Sequence, residues 1–246
     1  MSEAAGPGTG LGPTAALITI GDEIVEGRVL NENATWLSDE LMTRGVWPRL
    51  VVAVPDVIPM IVRVVRIAAE DADLMFVTGG LGFTPDDITR RAVATAFFRD
   101  LQVDAEVARR FRTRNAWADE RIATAAATFP VDATPLETGS GGVPGFRLRN
   151  AYVLPGVPAE MRSMFRSLTL PGECEPIHRT VLTVPTTEDR IRRTLELFAV
   201  DHPAVRLGSY PELDTDPPQV TLVLVSRSAP RLAEATGWLK SQMQCP

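Results

Sequence analysis

The chain has 246 residues, the length of one to two ordinary domains. Hydrophobic residues make up 45% and charged residues 23%, a balance that excludes a chain disordered over most of its length. Lys and Arg number 25 against 31 Asp and Glu, and the resulting net charge of −6 argues against a broad nucleic-acid surface while leaving room for one small phosphorylated ligand. Residues 1–14 are rich in Gly, Pro and Ala, lack the pattern of a signal peptide and read as a flexible tail. No apolar run reaches the ~18 residues that cross a membrane, so no membrane partner is expected. Cys174 and Cys245 suit neither a zinc site nor a disulfide framework, and a cytoplasmic protein is expected.

Residues 15–20 form a short apolar run ended by Gly21 and read as a buried strand. Ala34, Leu37, Leu41 and Met42 recur at helical spacing over residues 34–44, and Gly45 ends that helix. Residues 46–54 read as a second strand. Asp56 is placed to cap a helix over residues 58–70, and residues 73–78 read as a third strand. After a glycine turn, a helix is expected over residues 85–98. Residues 105–127 read as one or two helices, 133–146 as a loop, 151–154 as a strand and 158–165 as a helix. Strands alternating with helices predict a parallel sheet with helices on both faces, a three-layer α/β fold, over residues 15–170. Pro and Gly in LPGECEP at 170–176 mark a boundary. Beyond it, residues 177–246 read strand, helix, strand, strand, helix: a small α+β βαββα module with an antiparallel pair.

The segment with most chemical content is TGGLGFTPDDIT at 78–89. Open parallel sheets bind ligands at the carboxyl ends of their strands, beside helix N-termini. Gly79, Gly80 and Gly82 let a ligand approach the main chain closely. Helix-start chemistry accounts for the rest without any function: Thr84 suits an N-cap, Pro85 the first helical position, and Asp86 and Asp87 the first turn. It does not account for three glycines. Two adjacent carboxylates would also repel a phosphate unless a divalent cation lay between them. Asp22, Glu23 and Glu26 cluster after the first strand, with Gly21 beside them, and strand order would bring Asp22 toward Asp86 and Asp87. Asn31 and Asn33 suit helix capping and ligand contact about equally. VLPGVPAEM at 153–161 supplies another tight turn, at Pro155 and Gly156, which structural turn chemistry alone also explains, and the glycine-rich stretch at 138–146 could wrap a ligand or merely be mobile.

These segments together resemble the N-terminal part of the competence/damage-inducible protein A (CinA) family, which contains a molybdopterin-binding or molybdenum-cofactor-biosynthesis domain. The resemblance is carried in order by ITIGDEIVEG at 18–27, NEN at 31–33, VTGGLGFTPDDIT at 77–89, GSGGVPGF at 139–146 and LPGVPAEM at 154–161, and GSYP at 208–211 extends it. Phe83 departs from the proline common in the family's GGLGPT. The resemblance implies a three-layer α/β fold with a pocket at the GGLGFTPDD turn. It implies a site made of Asp22, Asp86 and Asp87 as catalytic residues, with Asp86 and Asp87 holding magnesium, manganese or cobalt. Gly21, Glu23, Gly79, Gly80, Gly82, Thr84, Ser140, Gly141, Pro155 and Gly156 would bind the ligand. The activity implied is metal-dependent hydrolysis of the pyrophosphate of ADP-ribose or a similar nucleotide. Molybdopterin binding with adenylyl transfer is the alternative, and a non-enzymatic nucleotide-binding module is the third. A homo-oligomer is also implied. Longer family members continue into a nicotinamide-mononucleotide deamidase domain; the sequence to Pro246 shows none, so deamidation is not expected.

Overall fold

The computed structural model describes residues 12–137, 141–172 and 174–243. In chain order it forms β1 (Thr14–Ile20), α1 (Asp22–Val25), α2 (Glu32–Thr43), β2 (Trp47–Val54), α3 (Ile58–Asp71), β3 (Leu74–Thr78) and α4 (Thr89–Ala96). There follow β4 (Leu101–Val103), α5 (Ala105–Arg114), α6 (Glu120–Ala126), β5 (Thr128–Pro130), β6 (Thr134–Leu136), β7 (Gly145–Leu148), β8 (Ala151–Leu154) and α7 (Pro158–Arg166). The chain closes with β9 (His178–Val184), α8 (Glu188–Asp201), β10 (Arg206–Glu212), β11 (Gln219–Ser226) and α9 (Ala229–Met243). The described residues divide into two units, one of Pro13–Leu41 with residues 47–172, the other of Gly12, Met42–Val46 and residues 174–243.

The larger unit is built on a sheet ordered β2-β1-β3-β8-β7-β6. β2, β1, β3 and β8 run parallel, and β7 and β6 add an antiparallel edge. β1, β3 and β8 are almost wholly buried, as their continuous apolar sequences require when both faces of a sheet are covered. The register shows how alternation divides the two faces. Leu17, Phe76 and Tyr152 lie side by side on one face, where Phe76 stacks on Tyr152 at 5.2 Å and meets Phe165 of α7 at 5.3 Å. Ile18, Val77 and Val153 lie on the other, packed in one core with Ile61 and Val65 of α3 and Ala92 and Val93 of α4. This is the expected mostly parallel, three-layer arrangement.

Three local expectations are corrected. Residues 133–146 are not all loop: β6 and β7 pair antiparallel at the sheet edge. Their strands are three and four residues long, too short for a period to be visible, and Pro135 sits in the edge strand, where it removes no interior ladder bond. The third helix is not capped by Asp56; Val57 occupies that position and the Asp56 side chain turns to Asp22. The fourth helix begins at Thr89 and not at Pro85, because Asp87 closes the preceding residues into a separate turn.

In the smaller unit β10-β11-β9 form an antiparallel sheet. Val220, Leu222 and Leu224 of β11 pack with Ile191 and Phe198 of α8 and Leu232, Ala235 and Leu239 of α9. This is the expected βαββα order, with three strands joined where a pair was expected. Among the described residues no helix is long and apolar enough to cross a membrane.

Candidate functional site

A cavity of about 530 Å³ opens where β1, β3 and β8 end. Gly21 and Glu23 line it after β1, Gly79, Gly80 and Gly82 after β3, and Pro155 and Gly156 after β8. The three turns meet main chain to main chain. Gly79 has φ +101°, and a Cβ there would lie 2.2 Å from the carbonyl oxygen of Ile20. A Cβ on Gly156 would lie 3.1 Å from the Gly79 Cα. The Thr89 hydroxyl donates to the Gly79 carbonyl at 2.8 Å, which ties the start of α4 to the same turn.

Asp87 organises the loop between them. Its Oδ1 accepts the Gly82 N–H at 2.7 Å, and its Oδ2 accepts the Thr84 N–H at 2.7 Å and the Thr84 hydroxyl at 2.6 Å. Asp86, next to it, is exposed and lines the cavity. Asp22 sits in a reciprocal pair with Asp56: the Asp22 N–H donates to Asp56 Oδ2, and the Asp56 N–H to Asp22 Oδ1, both at 3.0 Å. These two bonds place Asp22 beside the end of β2, while β1 itself lies between β2 and β3. Asn31 Oδ1 accepts the Ala34 N–H at 3.2 Å and the Thr19 hydroxyl at 3.0 Å, so Asn31 caps α2. The Asn33 Nδ2 group donates to the Gly156 carbonyl at 2.7 Å.

Of the residues singled out from sequence, Gly21, Glu23, Gly79, Gly80, Gly82, Asp86, Asp87, Pro155 and Gly156 share the cavity lining. Thr84 and Asp22 act one bond away, through Asp87 and Asp56. Gly141 lines a neighbouring cavity with Phe111, Trp117 and Glu160, and its carbonyl accepts from Asn115 Nδ2 at 2.9 Å. Ser140 lies outside the described residues. Asp56, Thr78 and Glu160 also line the main cavity and were not picked out as site residues. For Asp56 the signal was present: it lies two residues past the end of β2, at the same edge of the sheet as the other turns.

The ionisable residues in the lining, Glu23, Glu32, Asp56, Asp86, Asp87 and Glu160, are all acids. Burial and the charges of Asp22, Glu23 and Asp86 push the Asp56 carboxyl above its ordinary value, although the Asp22 N–H works the other way. The folded state therefore holds this proton more tightly than the unfolded chain, and stability falls as pH rises through the window between the two values. Asp56→Asn is accordingly expected to raise Tm at pH 7, and the advantage should fade on acidification toward the ordinary carboxylate range, as differential scanning calorimetry across pH would show. Equal melting of the two proteins at pH 7 would contradict this reading.

Arg90 escaped the sequence reading. It is 7% exposed and points back under the loop, where Nη1 donates to the Leu81 carbonyl at 2.7 Å and Nη2 approaches the Ala126 and Pro144 carbonyls at 3.4 Å. Burial lowers its pKa to about 10, partly offset by the charge of Asp87, so it stays cationic at neutral pH. Arg90→Met keeps the apolar stem and removes the donors that hold Leu81. Unsatisfied buried carbonyls cost ~1–3 kcal/mol, and a Tm lower by about 2–12 °C is expected at 2–4 °C per kcal/mol.

Similarity to known proteins shows the family. The family described as “probable molybdopterin binding domain” matches residues 16–172, and “FAD synthase, middle domain” matches residues 176–245. A protein of Pyrobaculum calidifontis is 34% identical over 241 residues, which cover 92% of this chain and 91% of the relative. A CinA-like protein of Frankia casuarinae is 34% identical over 200 residues, 74% of this chain and 46% of the relative, so this chain spans about half the length of that protein. The crystal structure of CinA from Thermoplasma acidophilum, titled as a protein of unknown function, aligns with a TM-score of 0.59 at 31% identity, covering 63% of this chain and 95% of that one. The chain thus belongs to the family of the probable molybdopterin binding domain, as a CinA-like member of it.

Proposed function

We propose that the cavity at the ends of β1, β3 and β8 binds a small phosphorylated ligand and, with a divalent metal ion, hydrolyses the pyrophosphate of ADP-ribose or a similar nucleotide. The observation that carries this reading is the charge of the lining: among the described residues it holds six acids and no Lys, Arg or His, beside a glycine turn. A phosphate enters such a cavity only with a cation to offset the acids.

The residues fit such an ion in one particular way. Among the described residues no three His, Cys, Asp or Glu are grouped to hold a metal. Magnesium, however, commonly takes one or two carboxylates and completes its shell with water and ligand phosphate. Asp86 and Asp56 suit this role: both line the cavity, and the charge of Asp86 is among those that raise the Asp56 carboxyl. Asp87, the other expected ligand, also shapes the loop through Gly82 and Thr84, and its Oδ1, which accepts a single hydrogen bond, keeps a lone pair for the ion. Asp22 holds Asp56 in place. A divalent ion there supplies a bound water of lowered pKa and neutralises charge on the phosphoryl group. Main chain at Gly79 to Gly82 gives the phosphates a surface free of side-chain bulk.

The test is incubation with ADP-ribose and magnesium, manganese or cobalt, followed by chromatography for AMP. AMP above the no-enzyme background is expected with at least one metal; none with any of them overturns the assignment. A second reading, binding of a pterin phosphate, is favoured by the family match over residues 16–172. Tight molybdopterin binding without turnover of ADP-ribose would establish it instead.

A further inference from the structure

Two buried side-chain oxygens of residues that line the cavity have no hydrogen-bond partner among the described residues: Thr78 Oγ1 and Asn33 Oδ1. Thr78 is 1% exposed and Asn33 8%, and both line the cavity. Their polar neighbours in the turns differ. The Thr19 hydroxyl donates to Asn31, and the Thr89 hydroxyl to Gly79. Native proteins pair nearly all buried polar atoms, because leaving one unpaired forfeits its hydration with nothing in return. Thr78 ends the buried strand β3, where valine would fill the same space.

The chemistry of the two atoms limits what can pair with them. The Asn33 amide is oriented by the bond from Nδ2 to the Gly156 carbonyl, which leaves Oδ1 purely as an acceptor. The Thr78 hydroxyl accepts as well as donates. A phosphate oxygen is itself an acceptor and gains nothing from Asn33 Oδ1, and the acids in the lining repel it further. We infer that Asn33 Oδ1 and Thr78 Oγ1 form a specificity subsite that accepts hydrogen bonds from a neutral donor of the ligand, a sugar hydroxyl or the amino group of a heterocycle. The phosphates lie elsewhere in the cavity. This inference rests on the cavity being the ligand site proposed above.

Thr78→Val separates a ligand-reading hydroxyl from a structural one. Removing an unpaired hydroxyl while keeping the shape leaves the protein as stable or more so. The expected result is an unchanged or raised Tm together with binding of α,β-methylene ADP-ribose, a non-hydrolysable probe, weakened about tenfold in calorimetric titration with magnesium. Thr78→Ser, which keeps the hydroxyl, should bind within about twofold of wild type. The hypoxanthine counterpart of the probe identifies the donor. If the Thr78→Val penalty vanishes with it, the adenine amino group is read; if the penalty persists, a sugar hydroxyl is. A lowered Tm for Thr78→Val, or affinity equal to wild type, overturns the inference while leaving the binding site standing. Failure of wild type to bind the probe overturns both.

Discussion

Asp86→Ala is expected to cut ADP-ribose hydrolysis by about a thousandfold with little change in Tm. A metal ion contributes several kcal/mol of charge stabilisation, and each ~1.4 kcal/mol is tenfold in rate. Asp86 is exposed, and substitutions at such positions usually move stability by only about 0.5 kcal/mol or less. Asp87→Ala provides the contrast. It strips the acceptor from the Gly82 N–H, the Thr84 N–H and the Thr84 hydroxyl, so it should lower both Tm and activity. Steady-state kinetics with manganese and scanning calorimetry on the two variants distinguish the roles. Equal activity of Asp86→Ala and wild type would remove Asp86 from the metal site, and an unchanged Tm for Asp87→Ala would show that the loop holds itself.

Gly79→Ala should be the most destabilising single change at the site. The backbone there has φ +101°, a conformation costly for any residue with a Cβ, and the added carbon would lie 2.2 Å from the Ile20 carbonyl oxygen. The obstacle is main chain of a central strand, which cannot swing aside as a side-chain tip can. Strain and overpacking together are worth about 3 kcal/mol or more, or a Tm lower by roughly 6–12 °C for a chain of this size. The movement would also open the seam between the ends of β1 and β3, so ligand binding should fall with stability. Calorimetry that finds Gly79→Ala within 1–2 °C of wild type would show that this turn relaxes easily. Gly82→Ala is milder: its Cβ meets the Asp87 carboxylate, a side-chain tip, at 2.5 Å.

Much of the architecture was legible before any coordinates because burial writes itself into composition. β1, β3 and β8 are continuous apolar runs, α3 carries Ile61, Val65 and Ala68 on one face, and Gly45 follows a helix it helps to stop. The glycines at 79, 80 and 82 announced a turn where backbone approaches backbone. What stayed illegible was pairing at a distance. Asp56 looked like a cap because Ile58 follows it; it turned to Asp22 because β1 and β2 are parallel neighbours whose ends fall side by side. TPDD looked like a helix start because each residue suits that place, yet an intraloop bond from Gly82 to Asp87 competes with helix and prevails there.

Sequence by itself determined which residue types stand at the strand ends, the alternation of strands and helices, and five ordered motifs that place the chain in its family. These are local properties, set by side-chain size, polarity and backbone freedom over a few residues. Tertiary structure alone decided which of the acids face one another, that Arg90 lies beneath the loop as a buried cation, and that Thr78 and Asn33, which line the cavity, each carry a buried oxygen left unpaired among the described residues. Those depend on the parallel stacking of β2, β1, β3 and β8, which brings residues far apart in the chain to one edge of the sheet, where Coulomb repulsion and unfilled hydrogen bonds act between them.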